Sequence, residues 1–258
     1  MYLLLILSLF IFNPISTQAI ESIDLSKFEK KVFSQNGEDG VIEKIFNEIG
    51  VSNCYYVEFG VENGLECNTR YLREKKNWKG LLMDGGYANP AINLKKEFIT
   101  RENIANLFAK YKVPSEFDLL SIDIDYNDFY VWNALRDYRP RVVVIEYNST
   151  HLPNEDKIVV YNANGRWDGT NYFGASILSL TRLAKKKGYT LVYANNNGVN
   201  LFFVRDDLLK KASFKDAGNI NSIYRPPTYG HGPNGGHAAD PKKRPFVSSV
   251  SIIGKVPL

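Results

Sequence analysis

Apolar runs alternate with helically spaced apolar stripes along most of this chain. Runs with few polar interruptions predict strands buried on both faces, and stripes with a period near 3.6 predict helices. The predicted strands are Tyr55–Phe59, Leu81–Asp84, Phe98–Thr100, Phe117–Ile124, Arg141–Ile145, Tyr189–Tyr193 and Asn200–Val204. The predicted helices run from a cap at Ser34 or Asn36 to Gly50, from after Gly64 to about Lys76, from after Asn103 to about Lys112, and over Phe129–Tyr138 and Ala175–Lys187.

The alternation of strands and helices predicts an α/β domain with a mostly parallel sheet covered on both faces. The sequence Asn195-Asn196-Asn197-Gly198 separates the last two strands and is typical of a hairpin turn. We therefore expect a Rossmann-like, doubly wound sheet that closes with a C-terminal antiparallel hairpin.

Both ends of the chain differ in composition from its middle. Residues 1–19 combine an apolar run with small residues before Ala19, which predicts a signal peptide, the secretory pathway and no membrane span after cleavage. Residues 20–222 are predicted to form the α/β domain. The Pro- and Gly-rich extension, residues 223–258, is predicted to form either a disordered tail or a flap across the site.

Composition narrows the classes of function. The chain has 258 residues, of which 44% are hydrophobic, enough for one large domain. Its net charge of +4 is carried by scattered Lys and Arg, which argues against nucleic acid as a partner. Cys54 precedes the first strand and Cys67 follows it, so about 13 Å of strand or more separates them. We therefore expect no disulfide.

The first candidate site follows the first predicted strand. This apolar run ends in Glu58, and Gly60 and Gly64 come before the next helix. A buried strand that enters a glycine turn and then a helix forms the ligand crevice of open α/β sheets. Asp84 ends the second predicted strand, where an acid could hold the hydroxyl groups of a ribose or could cap a turn.

The glycine spacing indicates the kind of nucleotide. Val61 and Glu62 follow Gly60, where a dinucleotide motif would have its second glycine. The negative charge of Glu62 would repel a pyrophosphate. A cationic or neutral nucleoside suits the pattern better, and S-adenosylmethionine, which carries a sulfonium and no phosphate, is such a ligand.

The second candidate site follows the fourth and fifth predicted strands, whose carboxyl ends border one crevice in a parallel sheet. Asp123, Asp125 and Glu146 could act as catalytic acids that position an acceptor hydroxyl and accept its proton. Asp125, Glu146 and Asn148 could hold Mg²⁺ through their oxygen atoms. Asp128 in particular could instead cap the following helix.

Two further segments could border the same crevice. Gln35 and Glu38 lie at the start of the first predicted helix and could reach the cofactor. The segment Trp167–Gly174 mixes aromatic and polar residues on a loop before a helix. It could form a substrate wall, or Asp168 or Thr170 could cap that helix.

These residues resemble those of class I S-adenosylmethionine-dependent methyltransferases, and most closely the FkbM-like subgroup. The resemblance covers about Phe33 to Asp207. The residues that carry it are Ser34-Gln35-Asn36-Gly37-Glu38-Asp39, Glu58-Phe59-Gly60 with Gly64, Asp84, and Asp118-Leu119-Leu120-Ser121-Ile122-Asp123-Ile124-Asp125 with Asp128.

The resemblance implies methyl transfer from S-adenosylmethionine to a hydroxyl group of a sugar or another small metabolite. It also implies that Asp123 lies near the methyl donor. The cofactor contacts that it implies are Glu58, Gly60 and Gly64 at the methionine part, Asp84 at the ribose, and Glu102 and Asn103 beside the adenine.

Two other functions remain open at this point. A secreted binding protein could keep the fold without catalysis, because a glycan on the sequon Asn148-Ser149-Thr150 would obstruct the predicted crevice. A metal-dependent hydrolase could use Asp123, Asp125 and Glu146, but no His lies at those strand ends. We therefore expect hydroxyl methylation on a small-molecule or glycan substrate.

Overall fold

The computed structural model describes residues 21–258, so the predicted signal peptide lies outside the described residues. A seven-stranded sheet forms the centre of the fold. Its strands, numbered along the chain, are β1 (Tyr55–Phe59), β2 (Lys79–Asp84), β3 (Leu94–Lys96), β4 (Glu116–Ile122), β5 (Arg139–Glu146), β6 (Tyr189–Ala194) and β7 (Asn200–Arg205).

The strands are arranged in the order β3-β2-β1-β4-β5-β7-β6. Strands β1 to β5 are parallel, and β7 is antiparallel to both β5 and β6. The prediction of an α/β fold with a mostly parallel sheet and a closing hairpin is therefore confirmed. The chain winds outward from β1 to β3 and returns to β4 on the other side of β1. Such a reversal opens a crevice between the carboxyl ends of β1 and β4.

Helices cover both faces of the sheet. Ile45 of the first helix and Leu72 of the second are buried against one face, and Phe108 and Trp132 of the next two are buried against the other. None of the helices in residues 21–258 is long and apolar enough to cross a membrane. The described α-helices are α1 (Glu38–Ile49), α2 (Arg70–Lys76), α3 (Ile104–Lys110), α4 (Asp128–Ala134), α5 (Ile177–Lys187), α6 (Ile220–Ile223) and α7 (Ser249–Ile253).

The edge of the sheet differs from the prediction. Phe98–Thr100 is not a strand, and the edge strand is β3, which pairs with the end of β2. Two of the three residues of β3 are lysines, a composition that protects an exposed edge from further pairing but hides the strand from an apolar pattern. The expectation of no disulfide is confirmed, because Cys54 and Cys67 are both free.

Helix α1 is capped differently from the prediction. The N-cap residue is Gly37, which has a φ of +92°, and not Ser34 or Asn36 as predicted. The Ser34 hydroxyl still accepts the N–H of Asp39 at 3.1 Å. In return, Asp39 accepts three backbone N–H groups from residues 32–34. The acid in the first turn thus holds the preceding loop against the helix. Helix α2 also starts later than predicted, at Arg70 instead of just after Gly64.

The C-terminal extension packs against the α/β domain. Phe246–Val247 pairs with Ile158–Val159 in a small antiparallel sheet. The Ser249 N–H at the start of α7 donates to Asp156 at 2.9 Å, and Ile253 is buried in the core of the domain. The structure therefore has a packed segment in this region and not a disordered tail.

Candidate active site

A continuous crevice lies over the carboxyl ends of β1, β2, β4 and β5, the edge at which open parallel sheets bind ligands. It consists of a larger cavity of about 580 Å³ and a smaller cavity of about 260 Å³. Gly60, Asp125 and Trp167 line both cavities, so the two are neighbouring parts of one site. The larger cavity has the size of a typical small-molecule site.

Gly60 forms the floor of this crevice. Its φ is +79°, and a Cβ added to it would lie 1.4 Å from the carbonyl oxygen of Asp123. Only glycine fits there, because any side chain would overlap the neighbouring backbone. The register of β1 with β2 and β4 puts Gly60 between Asp84 and Asp123. Two acids predicted from strand ends therefore lie on either side of one glycine.

Asp84 ends β2 and lines the smaller cavity. Its Oδ2 accepts the N–H of Glu62 at 2.8 Å, and its Oδ1 accepts the N–H groups of Gly86 at 2.7 Å and Tyr87 at 3.2 Å. Asp84 thus stabilises its own turn and joins it to the loop after β1. A carboxylate has about four acceptor positions. Asp84 can therefore still accept a hydrogen bond from a ligand hydroxyl.

Glu58 does not line the crevice, in contrast to its implied role at the cofactor. Its carboxylate is buried and accepts the N–H groups of Asn68 at 2.8 Å and Thr69 at 2.9 Å, and the Thr69 hydroxyl at 2.6 Å. Burial raises the pKa of Glu58, while these donors oppose that rise. The residue is an internal cap for the start of α2. These contacts with Asn68 and Thr69 hold the carboxylate inside the protein, although strand alternation puts Glu58 on the same face of the sheet as Asp84 and Asp123.

Gly64 also lies outside both cavities. Its φ is +76°, and an added Cβ would lie 2.6 Å from the side chain of Ile92. The glycine is thus required by packing between the loop after β1 and the segment before β3. It makes no close approach to the crevice.

The residues expected beside the adenine lie outside the cavities as well. Glu102 accepts hydrogen bonds from Tyr161 and from Arg101. The Asn103 side chain accepts the N–H of Thr100 and donates to the carbonyl of Phe98, both at 2.8 Å. Asn103 thus stabilises the turn that leads into α3, and Glu102 joins this turn to Tyr161.

Sequence reasoning missed the residues that do form this end of the crevice. Phe98, Ile99 and Asn127 line the smaller cavity. Their position follows from the misplaced strand, because Phe98 and Ile99 lie in the loop after β3 instead of inside a strand. The sequence signal for this part of the crevice was the apolar pair Phe98-Ile99, which follows β3 after Glu97.

At the start of α1, one of the two predicted residues reaches the crevice. Gln35 lines the larger cavity. Glu38 is buried and accepts hydrogen bonds from the side-chain amides of Asn195 at 2.8 Å and Asn200 at 2.9 Å. Glu38 therefore links α1 to the β6–β7 hairpin, and this contact holds the Gln35 loop at the cavity.

Three carboxylates converge in the larger cavity. Asp123, Asp125 and Glu146 offer oxygen atoms that all lie within 4.8 Å of one another. Glu146 Oε2 is buried and has no hydrogen-bond partner among the described residues. Asp125 has a φ of +61°, an uncommon conformation for a residue with a side chain. The chain is thus bent locally where the acids meet.

The shared environment changes the proton affinity of this cluster. Burial raises the pKa of Asp123 well above its usual value, and the charges of Asp125 and Asp128 raise it further. The pKa of Glu146 is raised well above its usual value by burial and then by Asp123. Negative charges at this spacing repel each other. The cluster therefore holds its protons to higher pH than isolated carboxylates do, or binds a cation.

Asn148 is not available as a metal ligand, so that prediction is corrected. Its side chain is fully buried, and its Nδ2 donates to the carbonyls of Asn171 at 2.8 Å and Phe173 at 2.9 Å. Its Oδ1 accepts the N–H of Thr150 at 3.2 Å. The third oxygen donor beside Asp125 and Glu146 is Asp123. An Asn148 side chain held in this way also cannot carry a glycan in the folded protein.

Asp128 lies at the first position of α4, next to the carboxylate cluster. Its Oδ1 accepts the N–H of Ile124 at 2.8 Å, whereas its Oδ2 is buried without a partner among the described residues. Burial, together with the charge of Asp125, raises the pKa of Asp128 to about 7. Asp128 therefore does not cap α4, whose N-cap residue is Asn127; it holds the turn before the helix through the N–H of Ile124.

Four aromatic side chains form part of the wall of the larger cavity. Trp167, Phe173, Tyr229 and His237 line the larger cavity. The ring of His237 lies 4.5 Å from Trp167, 4.9 Å from Tyr229 and 5.6 Å from Phe173, measured between ring centroids. Burial lowers the pKa of His237, which favours its neutral form. We call these four residues the aromatic wall.

The loop before α5 and the C-terminal extension build this wall together. The N–H of Asn171 donates to the carbonyl of Ala238 at 2.8 Å, and Arg244 pairs with Asp168 at 2.7 Å. Neither Asp168 nor Thr170 caps α5, because Ser176 has that role. The two tail residues, Tyr229 and His237, were missed as wall residues, although a histidine in a glycine-rich extension was the available signal.

Acidic side chains dominate the crevice. Of the described residues that line it, Arg166 is the single Lys or Arg. A phosphate group would meet strong repulsion there, whereas a cation would be attracted. The carboxylates are Glu62, Glu66, Asp84, Glu97, Asp123, Asp125 and Glu146.

No protein-family model matches this chain, and the search of curated proteins finds no similar sequence.

Proposed function

We propose that this protein is an S-adenosylmethionine-dependent O-methyltransferase with a Rossmann-like fold. The observation that carries the proposal is the continuous crevice, which leads from Asp84 across Gly60 to Asp123 and Glu146. A nucleoside with an attached reacting group needs a site of this extended shape. The strand order and the reversal between β1 and β4 support the Rossmann-like assignment.

The nucleoside part fits the smaller cavity. Asp84 would accept hydrogen bonds from the ribose hydroxyls, as acids at this strand end do in related folds. Phe98 and Ile99 offer apolar contacts for an adenine, and Asn127 offers an amide. The methionine part would extend over Gly60 towards Gln35. Because Gly60 has no side chain, the ligand could approach the backbone closely there.

The charge of the crevice supports a cationic cofactor over a dinucleotide. Asp125 lines both cavities, and Asp123 lines the larger one beside Gly60. A sulfonium at this point would be attracted by both acids, while a pyrophosphate would be repelled. When bound, the sulfonium supplies the methyl group.

The aromatic wall supports a ring-shaped acceptor that carries hydroxyl groups, such as a sugar. Flat aromatic faces bind the apolar face of a ring, and neutral His237 can form a hydrogen bond to a hydroxyl. The wall and the carboxylate cluster line the same cavity. An acceptor held there would present a hydroxyl to Asp123 and Glu146.

The carboxylate cluster would receive the proton of that hydroxyl. An acid with a raised pKa is a suitable base near neutral pH, and the pKa values of Asp123 and Glu146 are both raised. Holding donor and acceptor in line supplies much of the rate of such a transfer. The protein would therefore contribute mainly by positioning the methyl donor and the acceptor hydroxyl and by accepting a proton.

The same cluster fits a divalent cation such as Mg²⁺. Oxygen ligands around Mg²⁺ lie about 2.1 Å from the ion, hence about 3–4 Å from each other. The oxygens of Asp123, Asp125 and Glu146 lie within 4.8 Å of one another, and Glu146 Oε2 lacks a partner among the described residues. A cation there would lower the pKa of the acceptor hydroxyl.

Calorimetric titration with S-adenosylhomocysteine tests the proposal. We expect saturable binding, weakened at least about tenfold in Asp84→Asn, because a neutral amide accepts hydrogen bonds from a ribose less strongly. Asp137→Asn, an exposed acid away from the crevice, is the matched control. Absence of binding to the unaltered chain would refute the cofactor assignment.

A second measurement separates an enzyme from a binding protein. Methyl transfer from labelled S-adenosylmethionine is followed with a panel of sugars and glycosides. Transfer to a hydroxyl supports the methyltransferase. Binding of S-adenosylhomocysteine without transfer to any acceptor would favour the non-catalytic binding protein.

A further inference from the structure

A second concave site lies at the other end of the central strands, away from the crevice. It is a cavity of about 560 Å³ next to the start of β5 and β6. Strand β5 runs from Arg139 at this cavity to Glu146 in the crevice, so about 23 Å separates the two sites at the usual strand rise. A ligand at this second site cannot be the compound that binds among the carboxylates.

The charge of this cavity is opposite to that of the crevice. Arg136, Arg139, Lys186 and Lys187 line it, and the described lining residues include no acid. We call these four residues the basic cavity. None of the four forms an ion pair with another described residue. The nearby acids Glu116 and Asp207 are both paired with Arg205.

Much of the hydrogen-bonding capacity of these cations is free. Lys186 donates to the carbonyl of Ile253, and Lys187 to the carbonyl of Leu135, both at 2.7 Å. An ammonium group has three donors, so each lysine can still bind a ligand. The guanidinium groups of Arg136 and Arg139 have no hydrogen-bond partner among residues 21–258.

The close approach of like charges is visible in the properties of Lys187. Burial, together with the smaller effect of the charges of Arg136 and Lys186, lowers the pKa of this lysine to about 8. None of the described residues that line the cavity is an acid that could offset this repulsion. An anion would relieve it.

We infer that the basic cavity is a binding site for a phosphate or sulfate ester, separate from the active-site crevice. Guanidinium groups bind tetrahedral oxyanions through two parallel hydrogen bonds, and two arginines without partners line this cavity. Its volume exceeds that of one anionic group and suits an anion attached to a sugar or a nucleoside. Half-buried Tyr138 offers a ring surface beside the charges.

Titration of the full chain with inorganic pyrophosphate and with a sulfated disaccharide tests this inference. We expect saturable binding of at least one probe that weakens as salt is added. In R136Q/R139Q, affinity should fall about tenfold or more, because two charge-assisted contacts are lost. Preference for pyrophosphate would indicate a phosphate ester, and preference for the disaccharide a sulfate ester.

The matched control is K210Q/K211Q. These two lysines are exposed and make no ion pair with another described residue, so the control removes the same charge elsewhere. It should bind the probe within about twofold of the unaltered chain. Single variants Arg136→Gln and Arg139→Gln, each expected to bind more weakly, keep the test decisive if the double variant unfolds. Absence of saturable binding, or equal loss in the control, would overturn the inference.

Discussion

Gly60 lies directly against Asp123, so that a Cβ on Gly60 would come 1.4 Å from the Asp123 carbonyl oxygen. This contact joins the ends of β1 and β4 at the point where the chain reverses direction across the sheet. It also brings the floor of the crevice next to the carboxylate cluster, because Asp123 belongs to that cluster. One glycine thus connects the fold with the candidate chemistry.

Replacement of Gly60 by Ala should destabilise the protein severely. Its φ of +79° disfavours a side chain, and the added methyl group would overlap backbone atoms. We expect a loss of about 3–5 kcal/mol in the free energy of unfolding. Gly188→Ala is the matched control, because Gly188 is in the left-handed region with a φ of +82° and has no atom within 4 Å of an added Cβ. Denaturant unfolding should show a control cost of about 1 kcal/mol, and equal costs would contradict the role of the contact.

The carboxylate cluster predicts the direction of the pH dependence. The pKa values of Asp123 and Glu146 are raised in the folded state, and that of Asp128 is raised to about 7 from 3.8. The folded chain therefore binds more protons than the unfolded chain between about pH 4 and 7. The contribution of these groups to stability is full below this window and is lost as the pH rises through it.

In EDTA, the melting temperature should accordingly fall by several degrees between pH 5 and about 7.5. Added Mg²⁺ should raise it more at the higher pH, because protons and the cation compete for the same oxygens. Glu146→Gln should reduce both effects, whereas Asp137→Asn should leave them unchanged. A cation effect that is equal at both pH values would argue against binding at the cluster.

From the aromatic wall we predict that sugar rings bind in the larger cavity in contact with His237. Trp78 and Trp132 are buried, whereas Trp167 is 40% exposed, so changes in tryptophan fluorescence should report on the wall. We expect methyl glycosides to change this fluorescence, with affinity about tenfold weaker in His237→Ala. Binding of S-adenosylhomocysteine should be unaltered. His231→Ala, an exposed histidine of the same extension, is the control, and equal weakening in both variants would refute the assignment.

From the hydrogen bonds of Asn148 we predict that the first residue of the sequon has a structural role. Its side chain makes hydrogen bonds to the backbone of Asn171, Phe173 and Thr150. Asn148→Asp would bring a carboxylate against two carbonyl oxygens, and we expect a loss of about 2–4 kcal/mol in unfolding free energy. The same change at exposed Asn164 should cost less than about 0.5 kcal/mol.

Peptide mapping of the folded protein, expressed in cells that glycosylate, completes this test. We expect Asn148 without a glycan, because its Nδ2 is buried and already donates two hydrogen bonds. A glycan on Asn148 in folded, stable protein would show that this side chain is not held as described.

The sequence predicted well those features that neighbouring residues determine. The continuous apolar run of β5 and the turn signal before Gly198 act over a few residues, and the corresponding elements are found with small shifts of their bounds. The strand ends also identified Asp84, Asp123 and Glu146 as residues at the carboxyl edge of the sheet. Strand β3 was missed because its stability comes from pairing with β2 and not from its own composition.

Only the tertiary structure decided which side chains meet. Glu58 binds the residues just before α2 instead of a ligand in the crevice, because the backbone N–H groups of Asn68 and Thr69 point towards it. Gln35 and His237 line one cavity although some two hundred positions separate them in the chain. Local patterns set the strands, helices and turns, since their hydrogen bonds and apolar faces involve nearby residues. The site depends on contacts between distant segments, and no local pattern contains that information.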